Sequence, residues 1–432
     1  MPPIQDHPLR YALTNELHAR PAPVITVPST AVFMALKPAN DAAARDRAVD
    51  RAHLVALLDR FGAAHPAPGA THHGCTLGRH GLKWENHTEF TTWVAFEEGL
   101  SERPFDASAF DVFPAAWLDD APGVRVTSIL FRIDVMPMAR GSFDAKALRG
   151  RLDEWFVGES LAAVSVLDGA AVVASDFRID PAGHIRMAVF AHPDTGLRRV
   201  GRIVQRLCEI ETYKSMSMLG LARARHVSKE MGALDQRLAD LMDDMAQGAS
   251  HAEHALDALM TVSAELERLE MAASFRFGAT NAYEAIVHDR IGVLREQRFE
   301  GRQTLAEFMR RRYDPAMRTV KAAESRLSGL AERAMRAGRL LSTQVEVARS
   351  AQNQALLISM DGRADLQLRL QHTVEGLSVV AISYYAVGLL ANLALPFAEP
   401  FGLEKTGVMA LLTPLVIGGV WIALRRIRAR IH

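Results

Sequence analysis

The sequence predicts a mixed α/β or α+β cytosolic domain, a domain of long helices, and a C-terminal two-helix transmembrane hairpin, in that order. Fifteen of its 19 prolines lie before residue 200, where β-rich segments alternate with helical ones. Residues 201–375 contain one proline, Pro315, and this favours long uninterrupted helices. Residues 376–398 and 406–424 contain no Asp, Glu, Lys or Arg. The chain therefore changes character twice.

Composition excludes several classes of protein. The 432 residues carry 50 basic and 50 acidic side chains, so no net field favours nucleic acid, and we expect no nucleic-acid partner. The two cysteines, Cys75 and Cys208, are too few for a disulfide framework or a cysteine-rich zinc module. Residues 1–20 lack the apolar core of a secretory signal. The bulk of the chain is therefore expected in the cytosol.

Residues 1–197 are predicted to form the mixed domain. Runs rich in β-branched and aromatic residues, separated by turn-forming stretches, predict strands within 24–36, 84–96, 124–135, 162–179 and 184–190. Helical patterns occupy residues 42–61 and 143–156.

Residues 198–375 are predicted to be helical, with at least three long helices. Turns are expected near Gly248, near Gly278 with Thr280, and before Pro315. Pro315 suits the first turn of a helix, and no proline follows until Pro396. At 1.5 Å per residue, an uninterrupted helix there would be about 120 Å long and would continue into the membrane. The dipeptide Asp361-Gly362 is a candidate break or bend.

A narrow apolar seam runs along this last helix in steps of three and four. It consists of Leu327, Leu330, Ala334, Ala337, Leu341, Val345 and Ala348. Such a seam fits helix packing, and both packing within the chain and bundling between subunits want the same spacing. The sequence leaves these two alternatives open.

The two charge-free segments predict a membrane hairpin. They are 23 and 19 residues long, and about 20 helical residues span a bilayer core. Residues 399–405 would form the outer loop and residues 425–432 a basic cytoplasmic tail. Arginines at 425, 426, 428 and 430 follow the second span, whereas the loop has one lysine. We therefore expect a multi-pass inner (plasma) membrane protein with both termini cytoplasmic. The alternative is a buried apolar hairpin in a soluble protein.

One face of the first span is unusually polar. It comprises Gln371, Glu375, Ser378, Ile382, Tyr385, Leu389 and Asn392 at alternating steps of four and three. Polar groups inside hydrocarbon turn toward protein or water. Two interpretations stay open: the face mediates helix packing, or several copies of it surround a pore. The pore requires an oligomer, because one hairpin cannot enclose a water-filled path.

A histidine-rich segment between residues 65 and 87 is the candidate metal site. His72, His73 and His87 are its proposed ligands, since imidazole suits zinc and other transition metals. The spacings match no zinc module, and a solvated loop followed by a strand is the competing interpretation.

No familiar catalytic motif is present, so we do not expect an enzyme. The sequence has no glycine-rich phosphate loop, no Gly-x-Ser-x-Gly elbow and no His-Glu-x-x-His motif. A polar N-terminal stretch contains Tyr11, Asn15, Glu16, His18 and Arg20. These residues could form a site, a subunit contact or a helix that packs on the domain.

Several segments together resemble an uncharacterised bacterial membrane-protein family of unknown function. They are residues 7–21, the run Lys83-Trp84-Glu85-Asn86-His87-Thr88-Glu89-Phe90, residues 275–283 with Arg276-Phe277-Gly278-Ala279-Thr280, and the hairpin. The resemblance covers nearly the whole chain and implies no particular activity.

The order of domains is similar, more distantly, to that of the CorA-type divalent-cation channels. That family forms pentamers around its first membrane helix, with a Gly-Met-Asn motif at the outer end as selectivity element. This chain has Gly388-Leu389-Leu390-Ala391-Asn392 instead, where Asn392 alone corresponds. The resemblance implies a pentamer with a CorA-like architecture.

The leading hypothesis is thus a homo-oligomeric cation channel or transporter in contact with membrane lipid. A divalent metal ion would be its transported or regulatory ligand, and no resident cofactor is expected. Its pore would be lined by Glu375, Ser378, Ile382, Tyr385, Leu389 and Asn392. The alternative is a membrane-anchored scaffold or partner-binding protein whose hairpin is an anchor.

Overall fold

A computed structural model of the protein describes residues 4–17, 21–39, 45–247, 252–398 and 404–431. The strands are β1 Ser29–Lys37, β2 His72–Leu77, β3 His80–Asn86, β4 Thr91–Glu98, β5 Val124–Val135, β6 Met138–Ala139, β7 Ser142–Phe143, β8 Ala162–Val166, β9 Ala171–Ser175, β10 Ile185–Ala191 and β11 Gln297–Arg298. The helices are α1 Arg10–Leu17, α2 Arg47–Phe61, α3 Ala115–Asp119, α4 Ala145–Trp155, α5 Leu197–Gln247, α6 Ala252–Val293, α7 Leu305–Arg312, α8 Asp314–Ala398 and α9 Lys405–Ile431.

The chain divides into two compact units. The first contains residues 1–242 and 258–336, and the second contains residues 243–257 and 337–432. The first unit therefore combines the sheet with the long helices nearest to it. The second contains the C-terminal hairpin.

A nine-stranded sheet organises the first unit, in the order β11-β8-β9-β10-β5-β1-β4-β3-β2. Within this sheet the neighbouring strands are antiparallel, except that β10 runs parallel to β5. The predicted segment 84–96 is the end of one strand, a turn and most of the next, because β3 and β4 pair as a hairpin. The predicted segment 162–179 is likewise the β8–β9 hairpin. Segment 124–135 is β5 itself.

Helices cover both faces of the sheet. On one face, leucines of α2 and the indole of Trp117 from α3 pack on Trp84 and Trp93, and α4 packs on Phe190 further along. Successive residues of a strand point to opposite faces. On the other face, Lys83 of β3 therefore reaches α5. This alternation places charged side chains of β3 beneath a helix rather than in solvent.

Two elements confirm the helices expected in this unit. The helix predicted at 42–61 is α2, whose described start is capped by Asp46 and whose end is capped by Gly62 at φ 63°. The helix predicted at 143–156 is α4, capped by the side chain of Asp144. The start and end of α2 and the start of α4 thus coincide with residue types that commonly cap helices.

The helices α5, α6 and the first part of α8 pack together within the first unit. Arg326 and Arg333 of α8 both contact the carboxylate of Asp235 on α5, at 3.0 and 2.8 Å. Asn281 of α6 donates to Glu324 of α8 at 3.0 Å. These contacts join α8 to both α5 and α6.

The turn expected near Gly278 and Thr280 is wrong, because α6 continues through both residues. Thr280 is buried, and a Cβ added at Gly220 of α5 would lie 2.2 Å from its Oγ1 atom. The missing side chain at Gly220 thus lets α6 approach α5 closely. The turn expected near Gly248 and Ser250 lies outside the described residues.

The apolar seam of α8 is buried from Leu327 to Leu341 within a single chain. Val345 is half-buried and Ala348 is exposed. The structure therefore assigns most of the seam to packing within the chain, one of the two alternatives left open. Beyond it, every residue from 346 to 374 is exposed. The helix runs unbroken through Asp361-Gly362.

The C-terminal hairpin consists of apolar helices. The last part of α8 and the segment of α9 from Lys405 to Arg426 are long and apolar enough to cross a membrane. In the hairpin part of α8 the buried residues are Ser383, Val387 and Ala391, one every fourth position. On α9, Val408 is buried and positions 412, 416, 420 and 424 are half-buried. An interval of four is expected for two helices packed side by side.

Candidate functional site

The polar face of α8 lies opposite the face that packs in the hairpin. At 100° per residue, Ile382, Tyr385, Leu389 and Asn392 centre roughly 180° away from Ser383, Val387 and Ala391. These four stripe residues are exposed, and Glu375 and Ser378 are half-buried. The six candidate pore residues therefore share one face, which the hairpin partner leaves largely uncovered.

Two polar groups on this face have partners within α8. The Ser378 hydroxyl donates to the carbonyl of Val374 at 2.8 Å, a local bond that satisfies its proton in an apolar setting. Gln371 donates its amide to the Glu375 carboxylate at 3.3 Å, and His372 Nδ1 lies 3.9 Å from the same carboxylate. Glu375 thus sits among polar neighbours where the charge-free segment begins.

A second candidate site is a cavity of about 250 Å³ in the first unit. It lies between the sheet and α5. Its lining comprises Pro23, Phe33, Lys83, Glu85, His87, Phe90, Thr92, Val94, Val204, Gln205, Cys208, Glu209, Thr212, Tyr213 and Arg290. Charged, aromatic and aliphatic groups thus line one space. Sequence reasoning did not identify this site, because its residues come from five separated segments.

Charged side chains form a row along the sheet side of the cavity. Lys83 Nζ lies 2.9 Å from Glu85 Oε1, and Glu85 Oε2 lies 3.7 Å from His87 Nε2. The Thr92 hydroxyl donates to Glu85 at 3.4 Å. Burial alone would raise the pKa of Glu85, but the hydrogen bond from His87 and the charge of Lys83 outweigh burial and lower that pKa to about 2. Glu85 is therefore ionised at neutral pH.

The row of polar contacts continues on the helices. Lys83 donates to the Gln205 side-chain oxygen at 3.1 Å, and Gln205 donates its amide to Glu209 at 2.9 Å. Arg290 of α6 donates to the other Glu209 oxygen. Cys208 is fully buried here, and burial raises the pKa of its thiol well above the ordinary value. The thiol is therefore protonated and is no candidate nucleophile.

The strand-turn motif 83–90 and the α6 motif 275–283 meet beside this cavity. The buried carboxylate of Glu89 forms an ion pair with Arg276 and accepts a hydrogen bond from the Tyr283 hydroxyl at 2.7 Å. The rings of Tyr213 and Tyr283 lie 5.3 Å apart. Two motifs separated by nearly 190 residues thus form one buried contact that fixes α6 against the sheet.

Arg45 holds the turn between β3 and β4 from the other side. Its guanidinium pairs with Asp50 and donates to the Asn86 side chain and to the carbonyls of His87 and Phe90. Arg45 and Asp50 are both buried. Arg45 therefore helps to fix the conformation of this turn, together with the backbone hydrogen bond from His87 to Phe90.

The structure places two of the candidate metal ligands, His72 and His73, on opposite faces of one strand. His73 and His72 are neighbours on β2 and point to opposite faces of the sheet. His73 Nε2 lies 2.9 Å from the Ala64 carbonyl, whereas His72 pairs across from Glu85 and His87 lines the cavity. Among the described residues, no group of three or more His, Cys, Asp or Glu is arranged to hold a metal ion.

The N-terminal polar stretch forms a short exposed helix. Tyr11 is exposed on α1. The side chains of Asn15 and Glu16, and residues His18 and Arg20 altogether, lie outside the described parts of the structure. No contact between this stretch and the cavity is evident among the described residues.

Comparison with known proteins agrees with the resemblance drawn from the motifs. The family model described as "Protein of unknown function (DUF3422)" matches residues 5–431. No curated protein and no solved structure matches the chain. The match extends over the sheet, the long helices and the hairpin together, and the chain therefore belongs to the DUF3422 family, an uncharacterised protein family.

Proposed function

We propose that the protein is a homo-oligomeric cation channel or transporter of the inner membrane, with α8 lining the pore. One observation carries this proposal. The polar face of α8, with Tyr385, Leu389 and Asn392, remains exposed while the opposite face packs in the hairpin. Polar groups inside hydrocarbon are expensive unless they face protein or water. Symmetry-related copies of α8 around a central path satisfy that requirement.

The segment 346–374 of α8 supports the oligomer. All of it is exposed in one chain, and it carries Leu356, Leu357, Ile358, Met360 and Leu366. Large exposed apolar side chains in such number mark an interaction surface. In the proposed assembly a second copy of α8 covers this surface. The contact between the two copies then continues without interruption into the segment that enters the membrane.

Glu375 supports selectivity for cations. It lies where the charge-free segment of α8 begins, and copies of it around an axis form an acidic ring that concentrates positive ions. The arginines in the last turns of α9 favour cytoplasmic termini, and the proposal puts this ring at the cytoplasmic mouth. Asn392 then lies near the outer end, where an amide can replace part of an ion's hydration shell.

The similarity to CorA-type channels extends this proposal to a pentamer that transports a divalent metal ion. In this chain the two helices α5 and α6 precede a single helix that continues to the first apolar segment. That order of elements supports the comparison. The Gly-Met-Asn motif is replaced here, so the selectivity of this chain is assigned to Asn392 and Glu375 rather than to that motif.

Ion flux in proteoliposomes tests the proposal. We expect the purified wild-type oligomer to conduct at least one of Mg²⁺, Co²⁺, Ni²⁺ or K⁺ down a gradient. Asn392→Ala and Glu375→Gln should each reduce that flux several-fold without changing the oligomeric state. Leu390→Ala is the matched control, because Leu390 is exposed and lies about 120° round α8 from the centre of the polar face.

Two results would contradict the proposal. One is the absence of flux from an intact oligomer under gradients of all four ions. The other is equal flux for Asn392→Ala, Glu375→Gln and the wild type. Imaging of single particles gives an independent check, because a symmetric ring with Ser378, Tyr385 and Asn392 on its axis is required.

The cavity in the first unit favours a second candidate function, that of a membrane-anchored partner-binding or scaffold protein. Its charged lining is suited to binding, and it is far in sequence from the hairpin. Replacing residues 376–424 with an unrelated two-helix anchor separates the two functions. Activity retained in cells after this replacement favours the scaffold, and loss of activity favours the channel.

A further inference from the structure

The cavity beneath α5 has an aromatic and hydrogen-bonding interior. Phe90 and Tyr213 line it, with their ring centroids 5.9 Å apart in an edge-to-face arrangement. Thr92 and Gln205 contribute a hydroxyl and an amide, and Glu85 contributes a charged acceptor. A flat heterocycle with polar edges fits such a space, since its face contacts an aromatic ring and its edge meets the polar groups.

Two arginines of α5 lie beside the lining of the cavity. Arg202, Arg206, Glu209 and Tyr213 recur on one face of α5 at steps of four, three and four, so the two arginines extend the line of cavity residues. Arg290 of α6 lies against Glu209. Guanidinium groups of two helices thus lie in or beside the lining of the cavity.

The pKa of Arg206 reflects the charged side chains around its guanidinium group. Burial lowers the pKa of its guanidinium, and the charges of Arg202, Arg290 and Arg295 lower it further, while Glu209 raises it. The guanidinium groups of Arg202, Arg290 and Arg295 therefore all act on that of Arg206. The carboxylates that pair with Arg290 and Arg295 beyond Glu209 are those of Asp289 and Asp168, whose side chains are 63% and 60% exposed and well screened.

We propose that this cavity binds a mononucleotide, with the base inside, against Tyr213 and Phe90, and the phosphate at Arg202, Arg206 and Arg290. Planar guanidinium groups match phosphate oxygens and hold them through paired hydrogen bonds. Gln205, Thr92 and Glu85 meet the edge of the base. The cavity volume of about 250 Å³ accommodates a base and part of its sugar. The phosphate then lies outside the cavity, beside the arginines. This site is independent of the proposed channel.

Calorimetric titration of the detergent-solubilised full chain with AMP, GMP, CMP and UMP tests the proposal. We expect saturable binding of at least one nucleotide, with one site per chain. Arg206→Gln should weaken that binding by about tenfold, the loss expected for a charge-assisted contact. Arg225→Gln is the matched control, because Arg225 is an exposed arginine on the same helix away from the cavity. It should bind as the wild type does.

A second variant tests the interior. Gln205→Leu should weaken nucleotide binding, and Thr92→Val serves the same purpose if Gln205→Leu fails to fold. Inorganic phosphate, which lacks a base, should compete only at concentrations at least 100-fold higher than the nucleotide. Tryptophan fluorescence during unfolding checks that each variant retains the wild-type fold.

Three outcomes would overturn the proposal. The first is a folded wild-type protein that binds none of the four nucleotides at about 1 mM. The second is equal affinity for Arg206→Gln and Arg225→Gln. The third is inorganic phosphate competing as well as the nucleotide, which would show that the interior of the cavity recognises no base.

Discussion

The buried ion pair between Glu89 and Arg276 offers the sharpest test of how the long helices attach to the sheet. Their side chains are 2% and 15% exposed, and the Tyr283 hydroxyl donates a hydrogen bond to the same carboxylate at 2.7 Å. Glu89→Gln keeps the shape of the side chain and removes its charge. The variant leaves the Arg276 guanidinium mostly buried without its counter-charge.

The expected loss of stability follows from this burial. Removing one partner of a buried ion pair costs about 3–5 kcal/mol, and the partial exposure of Arg276 places the value near the lower end, about 3 kcal/mol. Tyr283→Phe removes one hydrogen bond to a charged group and should cost about 2 kcal/mol. Both changes act on one carboxylate, so the double variant should lose less than the sum of the two single losses.

Urea unfolding followed by tryptophan fluorescence measures these losses. Four of the five tryptophans lie in the first unit, three of them in its core, so the signal reports chiefly on the sheet. Glu97→Gln is the matched control. Its partner Arg79 is 78% exposed, and loss of that surface pair should cost less than about 1 kcal/mol. An equal effect of Glu89→Gln and Glu97→Gln would refute the reasoning.

Two further predictions concern the sheet core and the helix packing. His53 stacks on Trp117 at 4.0 Å, and burial lowers its pKa to about 4, so its neutral form is favoured in the folded state. The stability it contributes is complete above its unfolded pKa of about 6.5 and is lost as the pH falls toward 4. At pH 4.5 the loss is about 2.5 kcal/mol, and His53→Phe should lack it when unfolding free energies are compared at pH 7 and pH 4.5; an equal acid dependence of both proteins would contradict this. Leu330→Ala should destabilise the first unit by about 2–5 kcal/mol in urea unfolding because Leu330 is buried, whereas Met335→Ala, at an exposed position, should change it by less than about 0.5 kcal/mol. Similar losses for the two variants would show that the seam of α8 does not pack as described.

Strand and helix patterns were readable where local signals were strong. The segment predicted at 124–135 is β5, and the capped helix that ends before Gly62 is α2. The segments 84–96 and 162–179 were predicted to contain strands, and each contains two strands joined by a turn; the second turn carries Asp168-Gly169, a dipeptide typical of hairpins. Gly278 led to the wrong prediction of a turn inside α6. A glycine lowers helix propensity by about 1 kcal/mol, and tertiary packing overrides so small a preference.

The candidate sites divide in the same way. The polar face of α8 was readable because its residues recur in one helix at fixed spacing. The cavity was not, since Lys83, Gln205 and Arg290 come from a strand and two helices and no local pattern connects them. For the candidate metal ligands, the alternation of β2 places His72 and His73 on opposite faces of the sheet, a feature that closeness in sequence does not show.

The sequence by itself determined the order of the domains, the long α8 helix and the two apolar segments, because hydrophobic spans, prolines and helical periodicity act over neighbouring residues. The tertiary structure decided which faces of these elements are covered. It buried the seam of α8 within one chain, joined Glu89 to Arg276 and Tyr283 across nearly 190 residues, and enclosed a charged cavity beneath α5. Such contacts depend on the packing of distant segments, and the free energy of that packing is not encoded in any local stretch of residues.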